Sequence, residues 1–277
     1  MSEPGCEVVR TRSGAWAMLD RASGEVMHPI GGPLLEAERL YVAPAQLEQR
    51  LLAPGAAPLV LLDVGLGAGS NAAAAIRLRQ RLPIEARALS IVSFDRTRAP
   101  LALALAHEHA EAFGWSGPAA DAALELAARG RHAGRSGLDW RLVDGDILEG
   151  LAAQPGESAD VVFWDPFSPG KNPELWTLAA FRALRRVCRA GASVHTYSGA
   201  TAVRAALLLA GFCVGLGETI AAGKRATVAA LAPFELGEPL DRRWLLRLGR
   251  SSAAFPADAP PDALARVQAH PQFESRA

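Results

Sequence analysis

The sequence predicts an α/β fold built on a doubly wound, mostly parallel sheet, and three observations carry that reading. Short apolar runs alternate with helical patterns from about residue 59 to residue 231. A glycine-rich bend follows the first of these runs and opens a helix. Aspartates stand at the ends of the runs, at Asp63, Asp95, Asp146 and Asp165. Strand–helix alternation implies parallel strands with helices on both faces, and such sheets bind ligands outside the carboxyl ends of their strands.

The elements follow in order. Leu59-Val60-Leu61-Leu62-Asp63-Val64 is an aliphatic run that stops at glycines, as a strand buried on both faces does. Ser70 or Asn71 caps a helix over Ala72–Leu82, ended by Pro83. A strand over Ala88–Phe94 stops at Asp95, and Pro100 sits in the first turn of a helix running to about Phe113. Leu138–Val143 and Ala159–Trp164 are further strands. A helix from Pro173 to Arg189 is stopped by Gly191, before a strand over Ala192–Tyr197. Thr201–Ala210 is helical and closed by Gly211, and two last strands span Phe212–Leu216 and Ala226–Leu231.

This divides the chain into an N-terminal appendage (1–57), a central domain (58–233) and a proline-rich tail (234–277). In the appendage Ser23-Gly24 is a turn between two short strands, and a helix follows Pro44. Residues 114–137 form an Ala/Gly/Arg-rich insertion with no assigned role. The tail carries Arg242, Arg243, Arg247 and Arg250.

Composition narrows the function classes. The 277 residues are half hydrophobic, and 29 basic residues balance 29 acidic ones. A net charge of zero argues against an overall polybasic nucleic-acid binder, but leaves room for a local basic face. Apart from Lys171 and Lys224 every basic residue is arginine, beside abundant alanine; this is mainly a compositional habit and secondarily a supply of phosphate-binding guanidiniums. Cys6, Cys188 and Cys213 lie far apart with no CxxC pair, which speaks against a disulfide framework or zinc site and for a reducing compartment. Met1–Arg12 lacks an apolar segment, and the longest apolar run, Ala205–Gly217, is too short to span a bilayer. The expectation is a soluble, cytoplasmic protein with no membrane and no metal requirement.

Asp63-Val64-Gly65-Leu66-Gly67-Ala68-Gly69-Ser70-Asn71 is the first motif that carries chemistry. Glycines let a ligand approach the backbone, and the helix start offers unpaired N–H groups. The dinucleotide fingerprint G-x-G-x-x-G fails because Ser70 stands at its third position. The pattern D-x-G-x-G-x-G instead resembles motif I of class I methyltransferases, which bind S-adenosyl-L-methionine. That resemblance implies a Rossmann-like, seven-stranded sheet. It puts Asp63 near the cofactor's cationic amino-acid part, with Gly65, Gly67, Gly69 and Asn71 forming the bend. Asp95 is then placed for both ribose hydroxyls and Asp144-Gly145-Asp146 for the adenine edge, Asp146 being the preferred member. The bland alternative is a set of turns with capping aspartates and no ligand.

Asp165-Pro166-Phe167-Ser168-Pro169-Gly170-Lys171-Asn172-Pro173-Glu174-Leu175-Trp176 is the second motif. It closely resembles the D-x-F-[AS]-P-x-K-N-P-[DE]-[LM]-W signature of the MnmC methyltransferase domain. Gly24–His28, Glu36-Ala37, Leu40-Tyr41-Val42, Tyr197-Ser198, Val203-Arg204, Ala210–Phe212 and Lys224-Arg225 follow the same pattern, so the likeness covers about residues 15–232. It departs at Pro29, after His28, and in the all-aliphatic glycine loop. The family's FAD-dependent oxidoreductase half has no counterpart in these residues, so the chain resembles the stand-alone form.

The resemblance implies methylation of the amine of 5-aminomethyl-(2-thio)uridine at the tRNA wobble position. It makes Asp165 the candidate to orient the amine and take up its proton; contact with the cofactor alone is the alternative. Lys171, Asn172, Trp176, Tyr197, Lys224, Arg225 and His28 become candidates for the tRNA, with Trp176 and Tyr197 stacking on an extruded base. Trp176 taken alone reads more simply as a core residue. Arg182, Arg185, Arg186 and Arg189 fall at helical spacing and form either a phosphate track or a solvated face. Methylation of a small-molecule amine and a non-catalytic cofactor- or RNA-binding module remain the rival readings.

Overall fold

The computed structural model describes residues 5–27, 31–134, 137–220 and 223–274. The N-terminal region forms a three-stranded antiparallel sheet of β1 (Cys6–Arg10), β2 (Trp16–Asp20) and β3 (Val26–Met27). Helix α1 (Pro33–Ala37) runs directly into a π-helical turn over Glu38–Val42, and α2 (Leu47–Leu52) follows Pro44.

The central region continues with β4 (Leu59–Val64), α3 (Ser70–Arg81), β5 (Leu89–Asp95), α4 (Ala99–Ala106), α5 (Gly117–Arg129), β6 (Arg131–Gly134) and β7 (Leu138–Asp144). Then come α6 (Ile147–Ala152), β8 (Ala159–Trp164), α7 (Leu178–Val187), β9 (Cys188–Thr196), α8 (Thr201–Leu209), β10 (Cys213–Thr219) and β11 (Arg225–Ala230). Two short helices, α9 (Arg242–Leu248) and α10 (Ala263–Gln268), close the chain.

The large sheet has the order β10-β11-β9-β8-β4-β5-β7-β6. Its five central strands are parallel, and only β6, β10 and β11 run against their neighbours. From β4 the chain winds outward through β5 and β7, then returns to β8 on β4's other side. The reversal between β4 and β8 is the topological switch point where such sheets open a crevice. The strands alternate their side chains between two apolar layers. Leu61, Ile91 and Phe163 face the layer that includes α3, while Leu62, Val92 and Val162 face the one that includes α7 and α8.

Several expectations change. The sheet has eight strands rather than seven, because part of 114–137 forms α5 and the antiparallel edge strand β6. Alanines at Ala119, Ala122 and Ala123 give α5 its buried stripe, and Gly130 ends it in the left-handed region at φ +72°. The helix expected from Pro173 to Arg189 is split into a 3₁₀ turn and α7, since the Thr177 hydroxyl caps the new start by accepting from Ala180 N at 3.1 Å. Residues 234–274 do not trail off. Trp244 stacks on Phe273 at 6.3 Å, and the Gln272 amide binds both backbone groups of Val214 on β10.

Candidate active site

Strand register decides which residues reach the crevice. Val64 lies level with Phe94 and with Trp164, so Gly65, Asp95 and Asp165 emerge at one height. A Cβ at Gly65 (φ +89°) would lie 2.6 Å from the Asp165 carbonyl oxygen, so only glycine lets these two strand ends pass. Gly69 (φ +79°) is held against Trp115, whose indole donates to Ala68 O at 2.9 Å. The presumed insertion therefore buttresses the glycine bend.

A cavity of about 740 Å³ opens at this point, well within the range of small-molecule sites. Its floor is Gly65–Ala68 with Asp95 and Asp165; its roof is the N-terminal sheet, through Asp20, Glu25 and Met27. Lys171, Asn172 and Tyr197 line it as well. Among the described residues no histidine lines it, and five carboxylates face two cations, Arg96 and Lys171.

Asp95 accepts hydrogen bonds from Gly67 N at 2.9 Å and Thr97 N at 3.1 Å. Burial nevertheless raises its carboxyl above the usual range. Asp165 is gripped from two elements: the Tyr41 hydroxyl donates to its Oδ1 at 2.5 Å, and the Asn71 amide donates to its Oδ2 at 2.7 Å. Further along the same loop Ser168 donates from its N, at 3.0 Å, and from its hydroxyl to Glu25 of the roof. Tyr197 donates to Pro166 O at 3.1 Å and Trp176 to Phe167 O at 2.8 Å. The loop's stiffness thus rests on cross-bracing as well as on its prolines.

Several expected contacts are redirected. Asp63 lies inside β4, two residues short of the rim; it is fully buried and accepts from the Ser93 hydroxyl at 2.7 Å rather than lining the cavity. Asp146 spends its oxygens on capping α6 (Leu148 N at 2.9 Å) and on Arg96 at 3.0 Å. The Glu149 N–H, with Arg96 beside it, holds that carboxyl below its usual range. Asp144 pairs with Arg98. Asn71 and Gly69 sit behind the cavity wall, Asn71 as a support for Asp165.

Trp176 is only 4% exposed and packs edge-on to Phe181, so it cannot stack on an incoming base. Arg225 is turned to Gly217 O at 2.6 Å and to Glu238 at 2.9 Å, which stitch the β10–β11 hairpin. Lys224 is exposed in the turn of that hairpin, whose Ile220 lines the cavity. Of the arginine series, Arg189 lies beyond α7 and pairs with Asp160 at 3.0 Å, while Arg186 closes three carbonyls of the α6 C-terminal region. A continuous phosphate track does not form. His28 lies outside the described residues.

Sequence reasoning quoted Glu25 and Tyr41 only within the family-like stretches Gly24–His28 and Leu40–Val42 and gave neither a role. One clue was available: the chain has two tyrosines, and both hydroxyls end on the Asp165–Pro166 segment.

Comparison with known proteins agrees with the fold. The S-adenosyl-L-methionine-dependent methyltransferase family model matches residues 122–233. The bifunctional tRNA 5-methylaminomethyl-2-thiouridine biosynthesis protein MnmC of Ralstonia nicotianae is 38% identical over 128 residues, 46% of this chain and 17% of the relative. MnmC of Aeromonas salmonicida is 45% identical over 84 residues, 29% of this chain and 12% of the relative. The chain therefore matches less than a fifth of these relatives' length. The crystal structure of MnmC2 from Aquifex aeolicus superposes with a TM-score of 0.72 at 26% identity, covering 97% of this chain and 87% of the other. The chain is thus similar over residues 122–233 to S-adenosyl-L-methionine-dependent methyltransferases, over its matched stretches to MnmC, and over most of its length to the MnmC2 structure.

Proposed function

We propose that the chain methylates the primary amine of 5-aminomethyl-(2-thio)uridine at the wobble position of tRNA, giving 5-methylaminomethyl-(2-thio)uridine. The observation that carries this reading is Asp165, braced from two sides on the cavity wall at the switch point, in a chain whose relatives are named for that modification. A tRNA substrate would place the protein in the cytoplasm.

The residues present fit S-adenosyl-L-methionine. Backbone N–H groups fix one oxygen pair of Asp95, and a carboxylate accepts about four hydrogen bonds, so capacity remains for two ribose hydroxyls. The open backbone of Gly65–Ala68 suits a close-lying nucleoside, and the acidic lining suits the cofactor's positive charges. When bound, this cofactor supplies a methyl group already activated on a sulfonium.

The chain's own residues then act on the acceptor. Asp165 orients the amine and takes its proton, directly or through water, because only the neutral amine has a lone pair to donate. Cross-bracing of the 165–168 loop holds that carboxylate in line, beneath a roof formed by Glu25 and Met27. Lys171 and Asn172 at the cavity wall contact the nucleotide.

Transfer of radiolabelled methyl to aminomethyl-thiouridine tRNA tests the proposal, and a flat time course with that substrate sinks it. A second reading, methylation of a small-molecule amine, draws on the acidic cavity and on the structural use of Trp176, Arg186 and Arg189. Equal activity on a free amine with no RNA present would favour it.

A further inference from the structure

We infer that Tyr41 is a positioning residue for the methyl-transfer reaction, acting through Asp165. The inference rests on the proposed role of Asp165 as the group that orients the acceptor amine.

Tyr41 stands in the π-helical turn Glu38–Val42, where Ala43 N reaches back five residues to Glu38 O at 2.9 Å. Such turns insert an extra residue into a helix and shift the facing of the residues around it, and they concentrate at functional sites. Here the turn aims a phenol into the wall of the cavity. The ring is fully buried and tilts against Phe163 of β8 at 5.3 Å, which leaves the hydroxyl on Asp165 Oδ1. Asn71, from the first turn of α3, holds the other oxygen.

The two donors come from elements far apart in sequence and grip a carboxylate on a third. Together they fix its rotamer and stabilise the charged form. Burial and the neighbouring carboxylate push the Tyr41 phenol well above its usual range, so it donates and does not itself accept the amine's proton. Tyr41 thereby aims Asp165 at the amine and favours its ionised form, so that the proton taken from the amine passes on to water after each turnover. A phenol that served packing alone would need only its ring.

Tyr41→Phe keeps the ring and removes the donor. In the full chain loaded with S-adenosyl-L-methionine, kcat for the aminomethyl-thiouridine tRNA should fall about 10- to 100-fold, the range expected for losing a hydrogen bond to a charged group. Cofactor affinity and melting temperature should stay close to wild type. An unchanged kcat, or a loss of cofactor affinity that matches the loss of kcat, would overturn the inference. A second measurement does not depend on turnover. With only two tyrosines, ¹³Cζ-labelled protein gives two assignable signals. The Tyr41 signal should move in Asp165→Asn while the Tyr197 signal moves less; a Tyr41 signal indifferent to Asp165 rejects the clamp. If wild-type protein leaves the tRNA unmethylated while the Tyr41 signal responds, the substrate reading fails and the clamp stands.

Discussion

The two ends of the proline-rich segment behave differently. Asp165–Ser168 lines the cavity and is braced by Tyr41, Asn71, Glu25 and Tyr197. Pro173–Trp176, a few residues on, turns into the layer beneath α7, with Leu175 and Trp176 almost wholly buried. One stretch of sequence thus faces the cavity at its start and anchors in the core at its end. Motif membership places a residue in a region, and packing decides whether it faces ligand or core.

Substitutions at the two ends should separate these roles. Asp165→Ala is expected to have the largest effect, lowering kcat by roughly 10²- to 10⁴-fold with the fold retained, the range for a positioned acid–base group. A loss below about fivefold would move Asp165 from the chemistry to the scaffold. Trp176→Ala should instead destabilise the protein by about 3–5 kcal/mol in denaturant melts, as removal of a buried indole does. Its activity per folded molecule should be nearly normal, and a selective rise in KM for tRNA would return Trp176 to the substrate.

Asp95→Asn sharpens the contrast from the cofactor side. Losing charged acceptors for the ribose should weaken S-adenosyl-L-methionine binding about tenfold or more, read by calorimetry. Burial raises the Asp95 pKa in the fold, so its contribution to stability is full below the unfolded carboxyl value and is lost as pH rises through the folded one. At neutral pH the ionised group therefore costs the unliganded protein stability, and the Asn variant should melt no lower than wild type. A lower melting temperature would contradict that sign.

The smallest effects belong to the arginines. Arg189→Ala should lose its tie to Asp160 yet leave the salt dependence of tRNA binding unchanged, whereas Lys171→Ala should flatten that slope by about one ion. A flatter slope in the Arg189 variant would restore the phosphate track.

Much of the central fold was legible in the chain. β4 and β8 begin and end at the expected residues, because an aliphatic run bounded by polar and glycine residues has one stable use, a strand buried on both faces. The glycine bend was legible for a related reason: three glycines in five residues suit a left-handed turn opening a helix. Less of the site was legible. Asp63 and Asp95 look alike in sequence, but a difference of two residues in register buries the first inside β4 and delivers the second to the rim. Asp146 went to a helix cap, since an aspartate just before a helix finds the nearest free N–H groups first.

Local composition and periodicity by themselves determined the strand order in sequence, the parallel core and the strand-end carboxylates, because these follow from how a short segment buries its own side chains. Tertiary structure alone decided which carboxylates face the cavity, that Trp115 supports the glycine bend, and that Tyr41 reaches Asp165 across 124 positions. Contacts of that separation depend on how whole elements pack, and no local pattern of residues encodes them.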